Sequence, residues 1–269
     1  MKRTSLTVCL LAVVVAVPVS PAAARDSLRT VLRDLNATDS VKGTDKIKSY
    51  PKVFSAYLEL DEPPMEIGER FNLGTIHPGM SEWSAVAGWA ESNQDMAGAI
   101  REAEDKTLFG LPYGLDKVDR RFREADLVAE IGVDGQLRQK RFPDLDAINT
   151  IAAFGTAESY RLLEADRIED GLGLMVSTIF LLRQCCDREF LDEQLRAISR
   201  LNGALANHRD MAYTDSDKGD ADIFAEVAIL KLPFLRPDRS RLLLAEGDRR
   251  VAEALISEVF DSQGQPDRE

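Results

Sequence analysis

The sequence predicts a mainly α fold, an antiparallel helical bundle or a short α-solenoid segment, with a small β-hairpin near residues 127–142. Two observations support the helices. Residues 144–206 hold three apolar stripes with spacings of three and four residues, the period of an α-helix. The middle helix contains no charge from Gly171 to Leu182, which predicts that it is buried between the other two.

The first of the three helices has a stripe whose middle is built from small residues. Small side chains let a neighbouring helix approach closely, so a tight contact is expected there. The stripe comprises Leu145, Ile148, Ala152, Gly155, Ser159 and Leu162.

The second and third helices follow after turns near Asp166 and Asp187. Met175 lies at the centre of the middle helix, and we expect both neighbours to pack around it. The second stripe comprises Ile168, Leu172, Met175, Ile179, Leu182 and Cys186. The third comprises Leu191, Leu195, Ile198 and Leu205, flanked by Phe190, Ala197, Leu201 and Ala204.

The region before these helices, residues 50–143, is predicted to be irregular and rich in α-helix. Apolar residues alternate from Leu127 to Val133 before Asp134-Gly135, a pair typical of a hairpin turn. The returning arm, residues 136–141, is polar. Residues 144–260 are predicted to form a helical domain, which is either separate from residues 50–143 or continuous with them. Residues 261–269 are predicted to be a frayed tail.

The N-terminus predicts a cleavable signal peptide over residues 1–24. Lys2 and Arg3 precede an apolar run, Leu6 to Val17, and Ala22 and Ala24 match the small-x-small pattern of a signal peptidase site. An uncleaved anchor is the alternative, but a membrane-spanning helix needs about 20 apolar residues. We therefore expect a secreted or periplasmic protein with a polar, partly disordered segment at residues 25–49.

The charge of the processed chain restricts its partners. Without Lys2 and Arg3, the 34 basic residues become 32 against 46 acidic ones, a formal charge of −14. This sign argues against binding to nucleic acid or to an anionic membrane, because both require a basic surface. We expect a protein or peptide partner, no nucleic acid and no stable membrane insertion after processing.

Two adjacent cysteines, Cys185 and Cys186, remain after processing. Neighbouring residues of a helix point about 100° apart, which disfavours a disulfide between them. We interpret them as small apolar core residues, with a vicinal redox pair or an intermolecular bridge as the alternatives.

The helical region resembles a known repeat type. The turn Leu162-Leu163-Glu164-Ala165-Asp166, the apolar helix after Gly171 and the segment from Asp187 to Leu205 resemble a tetratricopeptide-type (TPR-like) hairpin with its neighbour. With Pro112-Tyr113-Gly114-Leu115-Asp116, this part is similar to exported bacterial helical proteins. The first helix has small residues where the repeat has a large aromatic one, and no second copy follows at a fixed period. The resemblance implies a scaffold or interaction role and assigns no catalytic residue.

No motif for a nucleophile, phosphate loop, zinc helix or dinucleotide turn occurs in the sequence. His77 and His208 are far apart, and we assign no catalytic residue, cofactor or metal. The acidic loop is a weak calcium candidate, because Gly219 precedes the position of the EF-hand glycine and no bidentate Glu is in register. Its carboxylates are Asp215, Asp217, Asp220 and Asp222. The sequence favours a non-enzymatic interaction or structural protein. The alternative is a hydrolase whose active site assembles carboxylates and His77 in a cleft.

Overall fold

A computed structural model describes residues 21–64, 74–133, 136–214 and 245–260. These residues are mainly helical, which confirms the predicted fold class. The helices are α1 (Pro21–Leu35), α2 (Tyr50–Leu58), α3 (Trp83–Ser92), α4 (Gln94–Glu104), α5 (Arg120–Glu124), α6 (Asp144–Glu164), α7 (Ile168–Cys185), α8 (Leu191–Thr214) and α9 (Gly247–Val259). Short 3-10 turns occupy Asp45–Ile47 and Leu115–Lys117.

The predicted hairpin is present as a small antiparallel ladder. Strand β1 (Glu130–Ile131) pairs with β2 (Lys140–Arg141), and Glu130 lies opposite Arg141. The Arg141 guanidinium also donates to the Glu130 carboxylate at 2.8 Å. The polar strand β2 therefore pairs with β1 through an ion pair between side chains as well as through backbone hydrogen bonds.

Helix α7 lies at the centre of the core, packed against α4, α6 and α8. Met175 is completely buried, as its position in the stripe predicted. The close approach to α6 occurs at Gly155, where an added Cβ would lie 2.3 Å from Thr178 Oγ1. The small residues of α6 therefore set the distance between the two helices.

The face of helix α8 that packs on the core differs from the face that the predicted stripe occupies. Leu191 and Leu195 are 52% and 55% exposed, and Ile198 and Leu205 are half-buried. The buried face carries the flanking apolar residues together with two polar side chains, Glu193 and Gln194. Polar contacts made by those two side chains, described below, explain this orientation.

The N-terminal segment belongs to the same core. Val31 and Leu35 of α1 and Val41 after it are buried, although composition suggested that residues 25–49 are partly disordered. Gly132 has a φ of 78°, and a Cβ there would lie 2.5 Å from Leu28 Cδ1, so α1 packs directly on this backbone.

One hydrophobic cluster extends from α1 to α9, so residues 50–143 and 144–260 share a core. Helix α9 packs against α1, and Gly247 N donates to Glu189 O at 2.7 Å just before α8. Among the described residues, no helix is long and apolar enough to cross a membrane.

Candidate functional site: a buried ionic cluster and an open groove

Four polar side chains meet inside the protein where the turn between α7 and α8 contacts the loop before β1. Arg188, Glu193, Asp144 and Tyr113 are 3%, 0%, 1% and 1% exposed, respectively. Arg188 lies in the turn, Glu193 in the first turns of α8 and Asp144 at the start of α6. We call these four residues the ionic cluster.

Glu193 is the acceptor at the centre of the ionic cluster. Arg188 Nε donates to Glu193 Oε1 at 2.8 Å, and Tyr113 Oη donates to Glu193 Oε2 at 2.6 Å. The Arg188 guanidinium also lies 4.1 Å from the centre of the Tyr113 ring, in a cation–π contact. Both carboxylate oxygens of Glu193 are thus matched to donors, as a buried charge requires.

Further hydrogen bonds connect the ionic cluster to the surrounding backbone. Arg188 Nη1 donates to Leu111 O, and Gln194 Nε2 donates to Arg188 O at 2.8 Å. Glu189 N donates to Tyr113 Oη at 2.8 Å, which makes the Tyr113 hydroxyl both donor and acceptor. The ionic cluster therefore fixes the α7–α8 turn against the loop that carries Leu111 and Tyr113.

Asp144 differs from Glu193 because its Oδ1 has no hydrogen-bond partner among the described residues. Burial, and then the charge of Glu193, raise the pKa of the Asp144 carboxyl to about 8, although Arg188 acts in the opposite direction. Asp144 stands in the first turn of α6, where the helix dipole favours a negative charge. The effect of burial on the pKa of Asp144 is therefore larger than the effect of the helix dipole.

The ionic cluster resembles a catalytic site in composition but not in access. Burial raises the pKa of the Tyr113 hydroxyl well above its usual value, which disfavours its use as a base. A substrate cannot reach carboxyls that are 0% and 1% exposed without separating α6 from α8. The arrangement is suited to holding backbone segments together.

Cys185 and Cys186 are free and buried, as the interpretation of both as core residues requires. Burial raises the pKa of the Cys185 thiol well above its usual value and that of Cys186 to about 12. Reactive cysteines have lowered pKa values, so both thiols are poor nucleophiles here.

The two histidines lie apart from the ionic cluster. The exposed His77 ring has its Nδ1 2.9 Å from Pro78 O and lies 6.2 Å from the ring of Tyr160. His208 is half-buried on α8, and burial lowers its pKa. Within the described ranges, the structure shows no hydrogen bond between either histidine and a carboxylate.

An open groove of about 170 Å³ runs between α6 and α8. Arg200 Nε donates to Asn149 Oδ1 at 2.6 Å, and Asn207 Nδ2 donates to Gly74 O at 3.0 Å. Partial burial, and then the charge of Arg196, lower the pKa of Arg200. The lining is otherwise small, with residues such as Ala152, Ala153, Gly203 and Ala204. We call this feature the α6–α8 groove.

The candidate calcium loop, Asp215 to Asp222, lies outside the described residues. Ala22 and Ala24 belong to α1. In the ranges that the structure describes, no group of three or more His, Cys, Asp or Glu side chains could hold a metal ion.

The ionic cluster was missed by the sequence analysis. Arg188 and Glu193 lie close in sequence to the apolar Cys186 and Phe190, which is a local signal of buried charge. Tyr113 lies 80 residues before Glu193, and no pattern in a single sequence links the two. Comparisons of the chain with protein-family models, with curated proteins and with solved structures found no match.

Proposed function

We propose that this chain is an exported, non-enzymatic interaction or structural protein of the secreted or periplasmic space. We further propose that it contacts a protein or peptide partner through the α6–α8 groove. The observation that carries this proposal is the contrast between the two polar features. The carboxyls and the phenol of the ionic cluster are buried, whereas the open groove presents groups suited to binding.

The chemistry of the α6–α8 groove supports binding of a peptide segment. Small side chains leave room for a backbone, and the amides of Asn149 and Asn207 can hydrogen-bond to peptide groups. Arg200 adds one cation beside Arg196 in an otherwise acidic protein, which favours an acidic side chain or a C-terminal carboxylate on the partner. The TPR-like pattern of α6, α7 and α8 agrees with such a role.

Export is supported by the features of residues 1–24 and by the position of α1. Among the α1 side chains that the structure describes, those of residues 27–35, Leu28, Val31, Leu32 and Leu35 pack on the core, and they follow the proposed cleavage point before Arg25. Processing there would retain every one of those contacts.

A pair of glycine substitutions tests the groove. A Cβ at Gly203, in the groove, and a Cβ at Gly88, on the outer face of α3, each meet no atom within 4 Å. Gly203→Tyr should fill the groove without disturbing the core, and Gly88→Tyr is the matched control. Affinity-tagged wild type and both variants are exported, cross-linked in the native extracytoplasmic fraction and analysed by quantitative mass spectrometry.

The proposal predicts a partner recovered with the wild type and Gly88→Tyr and depleted at least tenfold with Gly203→Tyr. Equal recovery with both variants would reject the groove as the contact surface. Hydrolysis of ester, peptide or glycoside substrates by the purified wild type would instead support a hydrolase.

A further inference from the structure

The ionic cluster has one cation for two buried carboxyls. Arg188 Nε and Tyr113 Oη engage both oxygens of Glu193, whereas Asp144 Oδ1 is buried without a hydrogen-bond partner among the described residues. Two ionised carboxylates beside a single guanidinium would leave a net negative charge in the core, which is costly. The geometry therefore assigns the charge to Glu193 and a proton to Asp144.

Among the described residues, the charges that act most strongly on Asp144 are those of Glu193, Arg188 and Asp146, and Arg188 alone of these three is a cation. Each element packed near Asp144 contributes charged or titratable groups: Asp146 from α6, Cys185 from α7, Arg188 from the α7–α8 turn, Glu193 from α8 and, through Glu193, Tyr113 from the loop before β1. Of these groups only Arg188 is a cation, and it is already paired with Glu193.

We propose that Asp144 is a proton-operated latch: its neutral form is tolerated in the buried ionic cluster between the start of α6 and the α7–α8 turn, and its ionisation destabilises the packing of these two segments. Such a latch makes the fold sensitive to external pH. It goes beyond the proposed binding function and does not depend on it.

The direction of the pH effect follows from the two protonation states. Burial raises the pKa of Asp144 to about 8 in the folded protein, whereas the ordinary value is 3.8. Between these values the folded chain binds one more proton than the unfolded chain. Stability from Asp144 is therefore fully present below about pH 4 and is lost as pH rises towards 8, by up to about tenfold in the folding equilibrium constant per pH unit.

Asp144→Asn tests the latch, because the amide has similar shape and no charge at any pH. Chemical denaturation of the wild type and this variant is measured from pH 5 to 8. Asp95→Asn, which removes an exposed carboxylate from the first turn of α4, is the matched control. As the pH rises by one unit, we expect the folding constants of the wild type and of Asp95→Asn to fall by up to tenfold more than the folding constant of Asp144→Asn. Parallel curves for all three proteins would overturn the proposal.

A second measurement uses the unmodified protein and remains decisive if Asp144→Asn fails to fold. Side-chain carboxyl carbons of aspartate-labelled wild type are followed by NMR from pH 3 to 9. The latch predicts that the Asp144 resonance titrates above pH 6 and that backbone signals around the α7–α8 turn shift with it. A midpoint below pH 5 would overturn the assignment of the proton.

Discussion

The Tyr113 hydroxyl provides the sharpest test of the ionic cluster. Tyr113→Phe keeps the ring, its packing against Phe190 and its cation–π contact with Arg188. It removes only the oxygen that donates to Glu193 Oε2 at 2.6 Å and accepts from Glu189 N at 2.8 Å. Two buried polar groups thereby lose a partner.

The expected loss of unfolding free energy follows from the cost of leaving those two buried polar groups without a hydrogen-bond partner. A buried donor or acceptor left unpaired costs about 1–3 kcal/mol, and a charged group more. Losing the partner of a fully buried carboxylate oxygen and of a buried N–H should therefore lower the unfolding free energy by about 3–5 kcal/mol. That is a large part of the total of about 5–15 kcal/mol expected for a domain.

The assay is urea denaturation followed by circular dichroism. Tyr57→Phe, which removes a hydroxyl from a half-buried ring of α2, is the control and should change the unfolding free energy by less than about 0.5 kcal/mol. If Tyr113→Phe also stays within about 1 kcal/mol of the wild type, the hydroxyl does not have the buried partners described here and the cluster is wrongly placed.

Further predictions concern the core, the thiols and processing. Met175→Asp would bury an unpaired carboxylate and should abolish cooperative thermal melting, whereas Met175→Leu should cost less than about 1.5 kcal/mol. Gly155→Val should separate α6 from α7 and lower the melting temperature, because even a Cβ there lies 2.3 Å from Thr178 Oγ1. Cys185 and Cys186 should resist alkylation until denaturant unfolds the protein; rapid labelling of the native protein would contradict their burial. Intact-mass spectrometry of exported protein should show a chain that begins at Arg25, and a main species that retains Met1 would refute the cleavage site.

The helical core could be predicted from sequence because its signals are local. Apolar spacing identified α6 and α7, and the small residues around Gly155 indicated the close approach that the structure contains. Met175 could be placed at the centre because every face of its helix is apolar. These inferences depend only on the helical period and on side-chain size.

The orientation of α8 and the ionic cluster could not be predicted because they depend on distant partners. The stripe that begins Leu191–Leu195 has helical spacing, as the buried face also has, yet Leu191 and Leu195 are exposed. Glu193 and Gln194 can face the core because Tyr113 and Arg188 supply their hydrogen bonds. Charged residues are expected at the surface unless such partners are known.

Site-specific photo-cross-linking tests the central claim, that the α6–α8 groove is the binding surface, most directly. A photoreactive amino acid replaces Ser199, which lines the groove, or Gly88, on the outer face of α3, and the exported proteins are irradiated in the native extracytoplasmic fraction. Cross-links to one partner from position 199 and none from position 88 are predicted. Equal labelling from both positions, or a partner that cross-links only from position 88, would contradict the account.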